Sequence, residues 1–272
     1  MQTNEQLKDL AQLHDVAARF AADVVIIGAA ALLRFVDLPH FTSDIDLAVA
    51  LDLEDFFAFS TELRALGWRQ EKDREHRWHG PNDSLFDLVP AGPKLRASGQ
   101  IIWPESQFAM SLIGFDHLFT RSETISFGSG IPCKVAPPAV VALLKIVAFT
   151  ENPHRRRKDL DHLKLLLRCY EEQSDRIFGD DVFAAELEDV EYAAAFLLGG
   201  DIGAFTTEED SAIVNDFLKK QLLSTEDLAE LDRDDPRQRE AYRFQLQLAA
   251  FETGFSVCAS RRNGSPSSSA AP

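Results

Sequence analysis

Residues 24–47, VVIIGAAALLRFVDLPHFTSDIDL, constrain the fold more than any other stretch of the chain. A β-branched apolar run, Val24–Ile27, stops at Gly28 and passes at once into a helix-forming run over 29–35. A Pro-containing connection that includes His40 leads to Ser43, Asp44, Ile45, Asp46 and Leu47, then to Ala48, Val49 and Ala50. The pattern predicts strand, glycine turn, helix, loop, strand. Side chains two apart on a strand share a face, so Asp44 and Asp46 project together while Ile45, Leu47 and Val49 take the other side. Two neighbouring carboxylates repel one another when partly desolvated, and a cation between them relieves this. A hard divalent ion suits an all-oxygen site, and Mg²⁺ typically takes one or two carboxylates plus substrate phosphates. Gly28 lets backbone approach a ligand closely, and the N–H groups of the turn that follows favour anions. Ala29 stands where a hydroxyl would help hold a phosphate, so an anion contact there is made by backbone. A phosphate cradle beside an acidic pair is what nucleoside triphosphate chemistry requires.

Acid-x-acid pairs are frequent in this chain: Asp52/Glu54, Asp159/Asp161, Glu186/Glu188 and Asp232/Asp234 all qualify. Such pairs are mostly solvated surface. Asp44/Asp46 differ in lying on an apolar strand behind a strand–glycine–helix unit. A later run, LFDLVP over 85–90, is a strand with one carboxylate, Asp87, among apolar neighbours. An unpaired ionised carboxylate there is strongly disfavoured. A metal shared with Asp44 and Asp46 resolves this, as does a nearby Arg or Lys; the metal is the expected partner. Pro90 is expected to end ladder pairing.

The remaining chain is less specific. Apolar spacing predicts helices over 4–21 and 53–66, the second closed by Gly67. Residues 68–78 fit an exposed or edge strand. Between 91 and 136, strands are expected at 101–103 and 131–135, and a short helix or loop at 108–119. Pro137 and Pro138 open a helix over 139–149 that carries Lys145 among apolar residues. The basic cluster His154 to Lys158, followed by Asp159, opens another helix. Its arginines oppose the macrodipole, so a cationic clamp on triphosphate or RNA stands level with a merely solvated helix start. From 170 on the pattern is helical and acidic, with helices over 181–191, 191–198, 208–223, 225–231 and 240–251 and a turn at 197–201. A Ser/Ala/Pro/Gly-rich tail reads as disordered.

The formal net charge of −16, from 28 basic and 44 acidic residues, gives no global attraction to nucleic acid or anionic membrane. No apolar run reaches membrane-spanning length, and the polar start, MQTNEQLKDLAQL, is not a secretory signal. Cys133, Cys169 and Cys258 are far apart and lack ligand spacing, so they read as reduced core thiols. The expectation is a cytoplasmic protein with no membrane partner.

With Gly28, Asp44-Ile45-Asp46, Asp87, Lys145 and Lys158-Asp159 in order, residues 20–170 resemble the nucleotidyltransferase superfamily of the polymerase-β type, and within it the AbiEii/AbiGii-type toxin branch. The resemblance implies an α/β (α+β) fold: a mixed sheet with flanking helices over 1–136, a helical C-terminal domain over 137–258, and a tail over 259–272. It implies an NTP substrate and two Mg²⁺ ions held by Asp44, Asp46 and Asp87, with Gly28, Ala29, Ser43, Lys145, Arg157, Lys158 and Asp159 around the nucleotide. Transfer of a nucleotidyl group to a hydroxyl of tRNA or protein, and a cognate antitoxin as partner, follow from the same likeness. The sequence departs from the superfamily at Gly28-Ala29, where Gly-Ser is common, and in lacking the basic residue before Ser43. Two alternatives stand beside it: aminoglycoside nucleotidyl transfer, which suits an acidic protein, and an inactive binding module or antitoxin.

Overall fold

The computed structural model describes residues 3–36, 43–127 and 130–264; His40 lies outside them. The chain divides into two compact units, Met1–Leu144 and Lys145–Pro272.

The first unit holds α1 (Asn4–Arg19), β1 (Val24–Ile27), α2 (Gly28–Leu32), β2 (Asp44–Val49), α3 (Leu53–Ala65), β3 (Arg69–Glu71), β4 (Arg74–His79) and β5 (Leu85–Pro90). It continues through α4 (Pro93–Ala97), β6 (Gln100–Ile102), β7 (Ala109–Ser111), α5 (Asp116–Arg121), β8 (Glu123–Phe127) and β9 (Ile131–Val135). The unit boundary falls within α6 (Pro138–Glu151). Seven strands form one mixed sheet in the order β3-β4-β5-β2-β1-β9-β8, while β6 and β7 pair separately. The expected α/β class, a mixed sheet with helices and a helical C-terminal region, is what the structure shows.

The site strands sit at the centre of the sheet. β2 runs parallel to β5 and antiparallel to β1. Both β2 and β5 alternate half-buried with buried residues over their first four positions: Asp44 and Asp46 face one side, Ile45 and Leu47 the core, and Leu85/Phe86/Asp87/Leu88 repeat the pattern. Burying the apolar face fixes the register, because a one-residue slip would drive both acid rows into the core. α1 braces the start of both strands. Its capping box joins Thr3 and Gln6, and the Gln6 amide donates to the Ser43 carbonyl at 3.2 Å, just before β2. Fully buried Asp9 accepts from the Asn82 backbone N–H and, at 2.6 Å, from its side-chain amide, pinning the turn that leads into β5.

Several expectations are corrected. Residues 68–78 form a hairpin, β3–β4, with Trp68 and Trp78 fully packed; only β3 is at the edge. Pro90 does not end pairing, since the Ala91 N–H donates to the Val49 carbonyl at 2.7 Å. Its own missing N–H faces β4, whose pairing with β5 runs only from His79↔Leu85 to Arg77↔Asp87. Strand β8 was not expected: Glu123, Thr124 and Ser126 are all exposed at a sheet edge, so no apolar alternation marks it.

Glu75 on β4 ties the sheet to the 104–107 turn. Its buried carboxylate accepts from the backbone N–H groups of Glu105 and Ser106 and from the Ser106 hydroxyl, at 3.1, 2.8 and 2.7 Å. Burial pushes this carboxyl up, but the Ser106 and Glu105 donors outweigh it and hold it below the usual range. A depressed acid stabilises the fold above its unfolded pKa, and that contribution is lost as pH falls through the folded one. Glu75→Gln is therefore expected to lower stability by about 1–2 kcal/mol at pH 7. The gap from the parent should close below about pH 4, as read from urea midpoints at both pH values.

The second unit contains α7 (Arg157–Cys169), α8 (Asp180–Ala184), α9 (Ala193–Phe205), α10 (Glu208–Gln221), α11 (Thr225–Ala229) and α12 (Pro236–Gly264), with 3₁₀ turns at Asp175–Phe178 and Val190–Tyr192. The turn expected at 197–201 is the middle of α9. A Cβ built at Gly199 would overlap the Phe251 carbonyl oxygen, one at Gly203 the Phe255 carbonyl oxygen, and one at Gly254 the Phe196 carbonyl oxygen. These glycines let α9 and α12 cross backbone against backbone. α12 continues to Gly264, so the tail expected from 259 begins as helix; 265–272 lie outside the described residues. Among the described residues no helix is long and apolar enough to cross a membrane.

Candidate active site

Four strands bring one residue each into a row across the sheet. Ile27 pairs with Asp46, Asp46 with Asp87, and Asp87 with Arg77. In-register neighbours point the same way, so Asp46, Asp87 and Arg77 share a face, and Asp44 joins them two residues along β2. Asp44, Asp46 and Asp87 thus lie on one face of two neighbouring strands.

Arg77 is the residue that the sequence reading missed. Its Nε donates to Asp87 Oδ1 and its Nη2 to Asp87 Oδ2, both at 2.8 Å, while Nη2 also donates to Asp44 Oδ2 at 3.0 Å. The Asp44 and Asp87 oxygens that share Nη2 can be no further apart than these two lengths combined. The side chains of Arg77, Asp44 and Asp87 keep 18%, 28% and 13% of their exposure, so the cluster is partly desolvated and its charges count for more than at a surface. Hydrogen bonding to Asp87 is the main reason the guanidinium is held above its ordinary pKa; desolvation opposes it, and the charges of Asp87 and Asp44 add to it. Arg77 was legible in principle. The five-residue connection 80–84 fixes the hairpin at His79↔Leu85, and two steps further place Arg77 opposite Asp87.

Gly28 has φ +65°, in the left-handed region that favours glycine, and starts α2 at the end of β1. A Cβ built there would overlap the Asp46 carboxylate. The close approach expected of Gly28 is therefore made, in this structure, to the second acid itself. Ala29 lies in the first turn of α2, and Ser43 is exposed immediately before Asp44.

The other expected residues belong to the second unit. Lys145, buried on α6, donates from Nζ to Asp159 Oδ1 on α7 at 2.8 Å, and Arg156 stands 3.8 Å from the other Asp159 oxygen. Asp159 thus fixes the Lys145 ammonium. Burial first, and the Lys145 charge second, push the neighbouring His162 below its ordinary pKa. Arg155, Arg157 and Lys158 are exposed. Cys133 is a core filler as expected, its thiol pushed up to about 11 by burial.

The donor chemistry of the strand cluster suits a hard divalent ion, since Asp44, Asp46 and Asp87 offer only carboxylate oxygens. Among the described residues no three acid, imidazole or thiol side chains stand as a formed coordination set. Between Asp44 and Asp87 stands the Arg77 guanidinium instead.

No family profile matches the chain, and no curated protein does. Solved structures resemble it loosely. A nucleotidyltransferase-like protein from Paracoccidioides brasiliensis is 13% identical over 83% of this chain and 90% of its own, with a TM-score of 0.42. JHP933 from Helicobacter pylori is 14% identical over 97% of this chain and 98% of its own, at 0.38. The antibiotic-resistance factor ANT(2'')-Ia, solved with adenylyl-2''-tobramycin, is 16% identical over 70% of this chain and 95% of its own, at 0.36.

Proposed function

We propose that the chain is a nucleotidyltransferase whose reaction centre is the face carrying Asp44, Asp46 and Asp87. The single observation behind this is the in-register Asp46↔Asp87 pairing on parallel central strands, with Asp44 two residues away and Gly28 packed on Asp46. Placing like charges side by side on a partly buried face weakens a fold, and such an arrangement is maintained where a cation and an anionic substrate are to be held.

An acceptor hydroxyl would attack the α-phosphorus of an NTP, forming the new P–O bond as the bond to pyrophosphate breaks. Asp44, Asp46 and Asp87 would hold Mg²⁺, two ions on the family resemblance, which neutralises triphosphate charge and favours departure of pyrophosphate. Gly28 keeps Asp46 reachable by leaving no side chain above it. Asp87 could take the acceptor's proton only after Arg77 lets go, because both of its oxygens accept from the guanidinium. Toxin-type transfer to a tRNA end or to a protein, with a cognate antitoxin, is the acceptor class the AbiEii-type likeness implies.

The test is incubation of the purified chain with α-labelled NTPs, Mg²⁺, total RNA, cell protein and an aminoglycoside. Label transferred to any acceptor, lost in Asp46→Asn, supports the reading. Label in RNA or protein favours the toxin branch, and label on the aminoglycoside favours resistance chemistry. NTP binding without transfer, unchanged in Asp46→Asn, contradicts it in favour of a binding module.

A further inference from the structure

We propose that Arg77 is a resident counter-cation which a divalent ion must displace, so that metal enters the acidic site together with nucleotide rather than ahead of it. This rests on the reading of the acidic face as a nucleotide site, and it names how that site is regulated.

The geometry makes Arg77 a competitor for the metal's place. Its guanidinium engages both oxygens of Asp87 and one oxygen of Asp44, three of the oxygens a bridging cation would use. The planar fork matches a carboxylate bidentately, and charge-assisted bonds of this kind are about twice as strong as neutral ones. Free Mg²⁺ dehydrates reluctantly and would have to break these bonds unaided. A metal–triphosphate complex changes the balance. It brings phosphate oxygens that accept the same guanidinium fork, so Arg77 exchanges one anionic partner for another instead of being left unpaired in a partly buried cluster. Coupling of this kind is reciprocal: nucleotide tightens metal by the factor by which metal tightens nucleotide. Without nucleotide, Arg77 offsets part of the repulsion among the acids and closes the site.

The experiment measures Mn²⁺ binding to the full chain by the loss of the free-ion electron paramagnetic resonance signal, with and without a non-hydrolysable NTP analogue. The parent chain is expected to bind Mn²⁺ weakly alone and about tenfold or more tightly with the analogue. Arg77→Gln is expected to bind Mn²⁺ alone about tenfold or more tightly than the parent, with the nucleotide effect largely gone. Equal or weaker Mn²⁺ binding in Arg77→Gln, where Asp46→Asn still abolishes binding in the parent, overturns the proposal and leaves the nucleotide site standing. Mn²⁺ binding indifferent to Asp46→Asn, or absent from both chains, overturns both.

The variant removes a charge from among three acids and could fail to fold, so a second measurement reads the parent, with the charge-preserving Arg77→Lys used only for assignment. The Arg77 Nε–H resonance, assigned by its absence from Arg77→Lys, should hold its position on adding Mg²⁺ and shift when the analogue is added as well. A resonance that stays put under saturating Mg²⁺ and analogue overturns the proposal.

Discussion

Asp46→Asn is expected to stop nucleotidyl transfer while leaving the chain folded. Asp46 sits between Ile27 and Asp87 in the row across the sheet, under the backbone of Gly28. Asparagine preserves shape and packing there but removes one of the charges a metal–triphosphate complex needs. The loss in kcat should be at least about a thousandfold, since metal-mediated charge stabilisation contributes several kcal/mol and each 1.36 kcal/mol is about tenfold. Asparagine is nearly isosteric with aspartate, so the melting midpoint should stay within a few degrees of the parent's. A variant that loses activity because it unfolds would give the opposite thermal result. Calorimetry beside the transfer assay separates the two.

The second large effect concerns the helical unit. Gly254→Val is expected to destabilise it by about 3 kcal/mol or more, because a side chain there meets the Phe196 carbonyl and α9 cannot yield without breaking its own ladder. Gly200→Ala is the internal control. Its added carbon would meet the Cys258 Sγ at 3.5 Å and the Gly254 carbonyl oxygen at 3.8 Å, which is ordinary contact. Alanine in that helix interior should therefore stabilise by about 0.5–1 kcal/mol. Urea unfolding followed by far-ultraviolet circular dichroism reads both changes. Equal midpoints for the two variants would mean that α9 and α12 do not cross through their glycines.

The contrast between those glycines also shows where sequence reasoning stops. Gly28, Asp44 and Asp46 are legible because their meaning is local: alternation on one strand and a glycine at a strand–helix junction need no knowledge of the rest of the chain. Asp87 is legible as an anomaly, a carboxylate inside an apolar run. Arg77 is legible only once β4 is paired with β5, because its own neighbourhood of Arg74, Glu75 and His76 reads as a solvated edge. The pair Gly199-Gly200 reads as a turn for the same reason. Local propensity favours a break, and the gain from bringing two helix backbones together, visible only in three dimensions, outweighs it. Lys145 and Asp159 were each singled out, yet their pairing across α6 and α7 is a tertiary fact. It gives Asp159 a role the sequence left open: holding a buried ammonium in place.

The central claim is that three carboxylates from two parallel strands form one cation site for a nucleotide. A crystal of the chain grown with Mn²⁺ and a non-hydrolysable NTP tests it most directly, through the anomalous signal of the metal. The account predicts metal peaks within about 2.5 Å of carboxylate oxygens from Asp44, Asp46 and Asp87, with triphosphate oxygens completing the shell and Arg77 turned from Asp87 to phosphate. Nucleotide bound elsewhere, or Mn²⁺ absent from this face while Arg77 still bridges Asp44 and Asp87, would contradict it.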